Sequence, residues 1–374
     1  MTYSRVAVLQ DDNQVKIIEN SFGEEATLSY LTFNANGVTD VGLPVNPSNP
    51  EDTICALKCI VGQSMADVIL QRQTIAWPFK LVEGESGPLV EVHGTKITPE
   101  VVLAMLFQEL KTQAEKYLNM PVMKAIIAVP LHYNDRQKAA TLKAGKLAGF
   151  EQCSLLCEPI AAAIAYKRQG LRENARKLLV FDMGHCMVDL TILEVDHRNG
   201  SFEVLHVDCD HQLGSVDLDI NMTKYCGEEF QRQYGVNAFD DMDPRDGDTA
   251  IQRYRRVQKR CREAKMNFIM KSSIFIDFSS FFRGNGLSVC ITRKIFKEIN
   301  AAVFQRIITV VDRALRTAAI RKGEIDDILL VGGTTRIPTI HNMLRQYFNG
   351  KALNHSVPPE CAVVYGAAIH SATL

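Results

Sequence analysis

Residues 178–195 read LLVFDMGHCMVDLTILEV. Two apolar runs, Leu178 to Phe181 and Val188 to Val195, flank a bend carrying Asp182, Gly184, His185, Cys186 and Met187. Short runs this apolar suit strands of a sheet. An aspartate and a glycine at such a bend suit a phosphate and its metal, because glycine lets backbone amides approach closely and a carboxylate serves the cation. Bulky or soft side chains fill the rest of this bend. The stretch predicts the shape of a phosphate loop with its hydrolytic chemistry damaged.

Working outward, Ala125 to Val129 is a strand expected to be fully buried, and Asn134 caps a helix that ends near Gly149. Ser154-Leu155-Leu156 is the next strand, and Glu158-Pro159 opens another helix. A crossover of this length makes the two strands parallel, and ligands of such sheets sit beyond the carboxyl ends, where Glu158 lies. Ile328 to Val331 is a strand running into Gly332-Gly333-Thr334-Thr335, with a helix from about Pro338. Thr98 and Pro99 start a helix to about Leu118, with Val102, Leu106, Leu110 and Ala114 on one face. Val6–Leu9 and Val15–Ile18 form a hairpin. Residues 34–53 read as loops, Asp52 to Val61 as a helix, Trp77 onward as a strand, and residues 235–249 as an acidic loop. A basic helix follows, its apolar stripe formed by Tyr254, Val257, Cys261, Ala264 and Phe268.

The chain has 374 residues, is 46% hydrophobic and 23% charged, and carries a formal net charge of −1. That charge disfavours a general nucleic-acid or membrane-surface binder. No apolar run is long enough to cross a bilayer, and the first residues lack a leader pattern, so a cytoplasmic location is expected, with the nucleus as alternative. The ten cysteines are too sparse for a disulfide scaffold. Cys55/Cys59 and Cys153/Cys157 read as free thiols rather than as metal ligands.

The stretches IIAVPLHYNDRQKAATLKAGKLAGF (126–150), LLCEPIAAAIAYKRQG (155–170), ILLVGGTTRIPTIHNMLRQYFNGKALN (328–354) and PPECAVVYGAAI (358–369) follow one another in an order and spacing that resembles the ATPase domain of the Hsp70 chaperone family. The resemblance covers essentially the whole chain. It implies an α/β actin-like fold of two lobes, residues 1–176 and 177–374, each with a core sheet flanked by helices around a nucleotide cleft. It also implies ATP or ADP with Mg2+ as cofactor. By position, Lys58 falls on the catalytic lysine, while Glu158 and Asp182 fall on the carboxylates that serve the magnesium shell and the attacking water. Gly184, Asp189, Gly214, Lys265, Gly332, Gly333, Thr334, Arg336 and Glu360 fall on the nucleotide-binding loops, Glu360 replacing an aspartate.

The departures lie at the chemistry. The family's G-G-G-T becomes Gly184-His185-Cys186-Met187, and methionine cannot place a water as threonine does. Non-glycine residues at a left-handed bend imply strain of about 1–2 kcal/mol. Of the adenosine helix's polar contacts only Lys265 is kept. The first residues align inside the family's first phosphate loop, and the last align where its ATPase domain ends, so the first strand, the first loop and the peptide-binding domain are not expected. The resemblance thus implies a nucleotide-binding domain with weak or lost ATP binding and impaired hydrolysis. A nucleotide-independent adaptor and a small-molecule kinase of the same superfold are the alternatives. Partners implied are nucleotide-exchange factors, J-domain co-chaperones and other chaperones, for a monomer that binds neither nucleic acid nor membrane.

Overall fold

The computed structural model describes residues 3–34, 37–43, 49–72, 77–240 and 248–373. In chain order the principal elements begin with helix α1 (Pro99–Leu118), strand β1 (Lys124–Val129), α2 (Asp135–Leu147), β2 (Gln152–Cys157) and α3 (Glu158–Gln169). Next come β3 (Lys177–Met183), β4 (Val188–Val195), β5 (Phe202–Asp210), α4 (Ser215–Tyr234) and α5 (Ala250–Lys265). The chain closes with the hairpin β6 (Ser273–Phe282) and β7 (Asn285–Thr292), α6 (Ala301–Thr317), β8 (Asp327–Val331), α7 (Pro338–Tyr347) and α8 (Ala362–His370).

The central sheet has the order β5-β4-β3-β8, with β3 antiparallel to β4 and parallel to β8. β3, β4 and β8 are apolar at most successive positions because both of their faces are covered. Leu179, Phe181, Ile328 and Leu330 face a large core built with α4, α5, α6, α7 and the β6–β7 hairpin. Leu178, Val180, Leu329 and Val331 face the opposite way, onto the alanines and Tyr166 of α3 and onto α8. The Tyr166 hydroxyl donates to the Leu330 carbonyl at 2.7 Å, so its one buried polar atom is satisfied. β5 is one of the two edge strands. Arg306 and Arg313 of α6 reach it, each gripping a carboxylate with two nitrogens at 2.7–2.8 Å, Asp210 and Asp208 respectively.

The N-terminal half has its own core, from Leu31 to Ala148, beneath two small antiparallel sheets. As expected, β1 and β2 pair in parallel across α2. Asn134 caps α2 through a reciprocal bond pair with Gln137. The hairpin Ala7–Leu9 with Val15–Ile17 is present.

Three local expectations fail. Gly37–Val41 is a strand rather than loop, paired with Leu31–Asn34. Asp52 to Val61 is not a helix: Asp52 closes a 3-10 turn begun at Pro50, Thr53 and Ile54 pair with Leu31 and Thr32, and Ala56 turns left-handed at φ 53° ahead of a short 3-10 turn at Leu57–Cys59. In β1 only Val129 is buried, the remaining residues being part-exposed or exposed, because β1 has one hydrogen-bonded neighbour among the described residues. The acidic-loop reading at 235–249 falls partly on residues 241–247, outside those described.

Helices α3 and α8 meet at backbone distance. A Cβ on Gly366 would lie 1.6 Å from the Ala161 carbonyl oxygen. Helix propensity alone favours alanine over glycine by about 1 kcal/mol, whereas forcing atoms into a packed seam costs about 1–3 kcal/mol or more. A direct collision with rigid backbone lies at the upper end, so the collision wins. Gly366→Ala is expected to lower the thermal midpoint, while Gly323→Ala, whose Cβ meets nothing within 4 Å, leaves it unchanged. Equal midpoints for the two variants in thermal unfolding would contradict this packing.

Candidate functional site

The carboxyl ends of β1, β2, β3 and β8 converge on a cavity lined by His132, Glu158, Asp182, Asp189 and Thr191. Glu158 opens α3 directly after β2, and Asp182 sits next to the last residue of β3. Asp189 faces Asp182 across the β3–β4 ladder, because the turn between them closes with Gly184 N–H donating to the Met187 carbonyl at 3.0 Å. Lys58 enters from the 3-10 turn at Leu57–Cys59 and forms a direct ion pair with Glu158. The Tyr133 hydroxyl holds the Lys58 carbonyl at 2.8 Å. Tyr133 and His132 also belong to this site; both lie within the 126–150 stretch of the resemblance, but only their place just beyond β1 marks them as site residues.

Burial and like charge dominate the electrostatics. Burial, reinforced by Glu158, raises the Asp182 carboxyl from 3.8 to about 7. Burial, then Asp182 and Glu158, hold Asp189 well above the usual carboxylate range. For Glu158 burial opposes ionisation, yet the Lys58 ammonium outweighs it and the pKa falls. Lys58 is raised for the reciprocal reason, burial being overcome by Glu158, Asp182 and Asp189. One Asp189 oxygen, Oδ1, is buried without a hydrogen bond. Three carboxyl groups against one lysine fit a hydrated divalent cation.

The phosphate side fits less well. Ser215 N–H donates to the Gly184 carbonyl at 3.1 Å and Val216 N–H to the His185 carbonyl at 2.9 Å. The first amides of α4, which an anion would use, are therefore engaged by the 184–185 turn. Gly214 is required here for closeness rather than conformation: a Cβ would stand 2.3 Å from the His185 carbonyl oxygen. None of His185, Cys186 and Met187 takes a positive φ, so the expected left-handed strain is absent. Gly332 has φ 83°, and a Cβ there would meet the Met183 carbonyl oxygen at 2.4 Å and Asp182 Oδ1 at 2.9 Å. Its backbone thus closes directly on the acidic cluster.

The remaining predicted residues form two separate groups. Lys265 is buried, paired with Asp219 at 2.7 Å and donating to the Ser215 carbonyl at 2.9 Å. Burial lowers its pKa despite Asp219. Arg336 pairs with Glu360 at 2.9 Å beyond the 3-10 turn of Gly333–Arg336, which also contains the buried Thr334. Gly333 lies under Glu360 and the Met266 methyl, which a Cβ would approach at 3.7 and 3.9 Å.

A family model described as Hsp70 protein matches residues 1–374. The chain belongs to the Hsp70 family. It is 35% identical to Heat shock 70 kDa protein of Neurospora crassa, over all of this chain and 57% of that protein. It is 34% identical to Heat shock cognate 70 kDa protein 3 of Dictyostelium discoideum, over all of this chain and 59% of the relative. A ribosome-associated molecular chaperone of Zygosaccharomyces rouxii is 33% identical, over all of this chain and 60% of its own length. The chain thus spans less than two thirds of the length of these curated relatives. Hsp70 membership accounts for the mixed α/β architecture.

The raised carboxyls carry a pH signature. In the unfolded chain Asp182 releases its proton near 3.8, while the fold holds it to about 7. Its contribution to stability therefore falls as pH rises through that window. His132 acts oppositely: burial and then His211 depress it to about 4, so its contribution is lost as pH falls below its ordinary 6.5. The readout must therefore be a difference. Urea midpoints of wild type and Asp182→Asn, compared from about pH 4 to about pH 7, are expected to move in the variant's favour as pH rises. A pH-independent difference would refute the assignment.

Proposed function

We propose that this chain is an Hsp70-type nucleotide-binding domain that binds nucleotide weakly and hydrolyses it slowly or not at all. The observation that carries this is the engaged phosphate cradle. The α4 amides are saturated by the 184–185 turn, and Met187 stands where the family resemblance calls for a water-placing threonine. The Lys58–Glu158 pair and the Asp182–Asp189 pair supply the features of a metal-bearing catalytic cleft, which supports retained cation affinity. Lys265, an adenosine contact by resemblance, is held by Asp219. The roles of Lys58, Glu158 and Asp182 in orienting water and metal, and of Gly332, Gly333, Thr334, Arg336 and Glu360 around adenosine, belong to this proposal. So do the lobe boundary near residue 176, a cytoplasmic location, and co-chaperones or exchange factors as partners. Among the described residues no helix is long and apolar enough to cross a membrane.

The same saturated cradle also favours the second reading, an adaptor that works without nucleotide. Calorimetric titration with Mg-ADP and Mg-ATP separates the two. The proposal expects dissociation constants weaker than about 1 μM, below about 8 kcal/mol of binding free energy, and single-turnover hydrolysis indistinguishable from a Lys58→Ala variant. Tight binding with turnover that Lys58→Ala abolishes would overturn impaired hydrolysis. Absence of any binding would select the adaptor.

A further inference from the structure

A second cleft lies at the amino ends of β3 and β8, the end of the central sheet opposite the carboxylates. Three segments meet there: the chain between α3 and β3, the 3-10 turn Lys322–Glu324 that leads into β8, and residues 348–352 just after α7. The cleft has a volume of about 420 Å3, and Arg172, Lys322, Lys351 and the buried Phe348 are among the residues lining it. Each cation is held by a backbone carbonyl. Arg172 donates to the Asp326 carbonyl at 3.2 Å, Lys322 to the Tyr347 carbonyl at 3.1 Å, and Lys351 to the Ile325 carbonyl. The segment that carries Lys351 is itself pinned: Asn354 N–H donates to the Ile328 carbonyl at 2.8 Å, and its side-chain amide to the Gly170 carbonyl at 3.0 Å and to Asp327 at 2.8 Å. The three head groups are thus placed before any ligand arrives.

Helix capping explains only part of this. Lys322 stands at the carboxyl end of α7, where a cation is favourable. A carbonyl fixes a cation without neutralising it, however, and among the described residues none of the three forms an ion pair. The carboxylates of the neighbouring segments are engaged elsewhere. Glu324 pairs with Arg321 at 2.9 Å and with Lys177 at 3.4 Å. Asp326 accepts the Arg176 and Lys177 amides at 2.8 Å. Asp312 accepts the Tyr347 hydroxyl at 2.9 Å and pairs with Arg316. Gathering like charges around one opening is unfavourable, and an anion placed among them reverses the sign of that interaction.

We propose that Arg172, Lys322 and Lys351 bind a small multivalent phosphoanion, an oligophosphate or a polyphosphorylated head group. A guanidinium carries five donors and an ammonium three, so each cation keeps donors free after its carbonyl bond. The arginine fork takes two oxygens of one phosphate, and the two lysines act as point charges on the others. The cleft volume falls within the roughly 300–1,000 Å3 of small-ligand sites, which leaves room for more than one phosphate group. Gly323 and Gly350 also line the opening, and a Cβ on either would meet nothing within 4 Å, so neither closes it. The site is separate from the carboxylate cleft, and the inference does not depend on nucleotide binding there.

The test is calorimetric titration of the purified full chain with tripolyphosphate, in low-salt buffer free of magnesium and nucleotide. One saturable site is expected, its affinity falling as salt is added. Arg172→Gln and Lys322→Gln, both at exposed positions, should each weaken binding about tenfold, and the double variant Arg172→Glu with Lys322→Glu should abolish it. Lys294→Gln makes the same charge change at a side chain 84% exposed elsewhere and should leave binding unchanged, as should Lys58→Ala in the carboxylate cleft. Circular dichroism verifies that each variant is folded. The proposal fails if no saturable binding occurs, if Arg172→Gln and Lys322→Gln bind as wild type does, or if Lys294→Gln weakens binding as much as they do. Binding that Lys58→Ala removes and the double variant retains would place the anion in the carboxylate cleft, and would also overturn it. Vesicles of phosphatidylcholine containing phosphatidylinositol bisphosphate identify the source of the ligand. Cosedimentation that tripolyphosphate displaces and the double variant loses assigns a lipid head group; tripolyphosphate binding without cosedimentation assigns a soluble oligophosphate. Either result supports the site.

Discussion

The parallel pairing of β3 with β8 is the constraint on which the rest of the molecule depends. It joins segments about 150 residues apart in sequence, so it forms only when the intervening helices and strands are in place. Both faces of the pair are buried, one against α4 to α7 and the other against α3 and α8. The residues that follow the two strands are thereby pressed together. Gly332 must be glycine because Met183 and Asp182 occupy the space where its side chain would be. The position of Asp182 in the cleft follows from this backbone contact, and those of Asp189 and Gly184 follow from the turn that succeeds it.

The cleft combines two opposing electrostatic designs. On one side, carboxyl groups crowd together with insufficient cationic compensation, and burial drives two of them toward the protonated state. On the other, the groups suited to an anion already have partners: the α4 amides bond to turn carbonyls, Lys265 to Asp219, and Arg336 to Glu360. The site as folded therefore attracts positive charge more than negative. A nucleotide would have to displace internal partners, whereas a cation would relieve an existing cost.

Much of this is legible in the sequence where local chemistry and tertiary structure agree. The apolar runs at 178–181 and 328–331, the capped helix at Asn134 and the crossover between β1 and β2 carry period, length and capping signals of their own. Residues 34–61 mislead because Thr53 and Ile54 become a strand only by pairing with Leu31 and Thr32, and Ala56 adopts a conformation its side chain does not favour. The sequence overstates the burial of β1 because apolar content reports what a strand tolerates, not how many neighbours it has. The strain expected at His185 to Met187 is absent because the turn closes through Gly184 and Met187 without left-handed residues. His132 is invisible as a site residue because its partners, Asp189 and His211, are distant in sequence.

The two arginine grips on β5 have a consequence for how these molecules meet one another. A sheet ends in a row of unsatisfied amides and carbonyls, the natural template for another chain. Here the final strand carries Asp208 and Asp210 already bound to Arg313 and Arg306, all four at least partly hydrated. A second copy approaching that edge would set its own charged pairs against these and strip water from both. Growth of the sheet into a fibre from the β5 edge is thus the direction that these pairs disfavour.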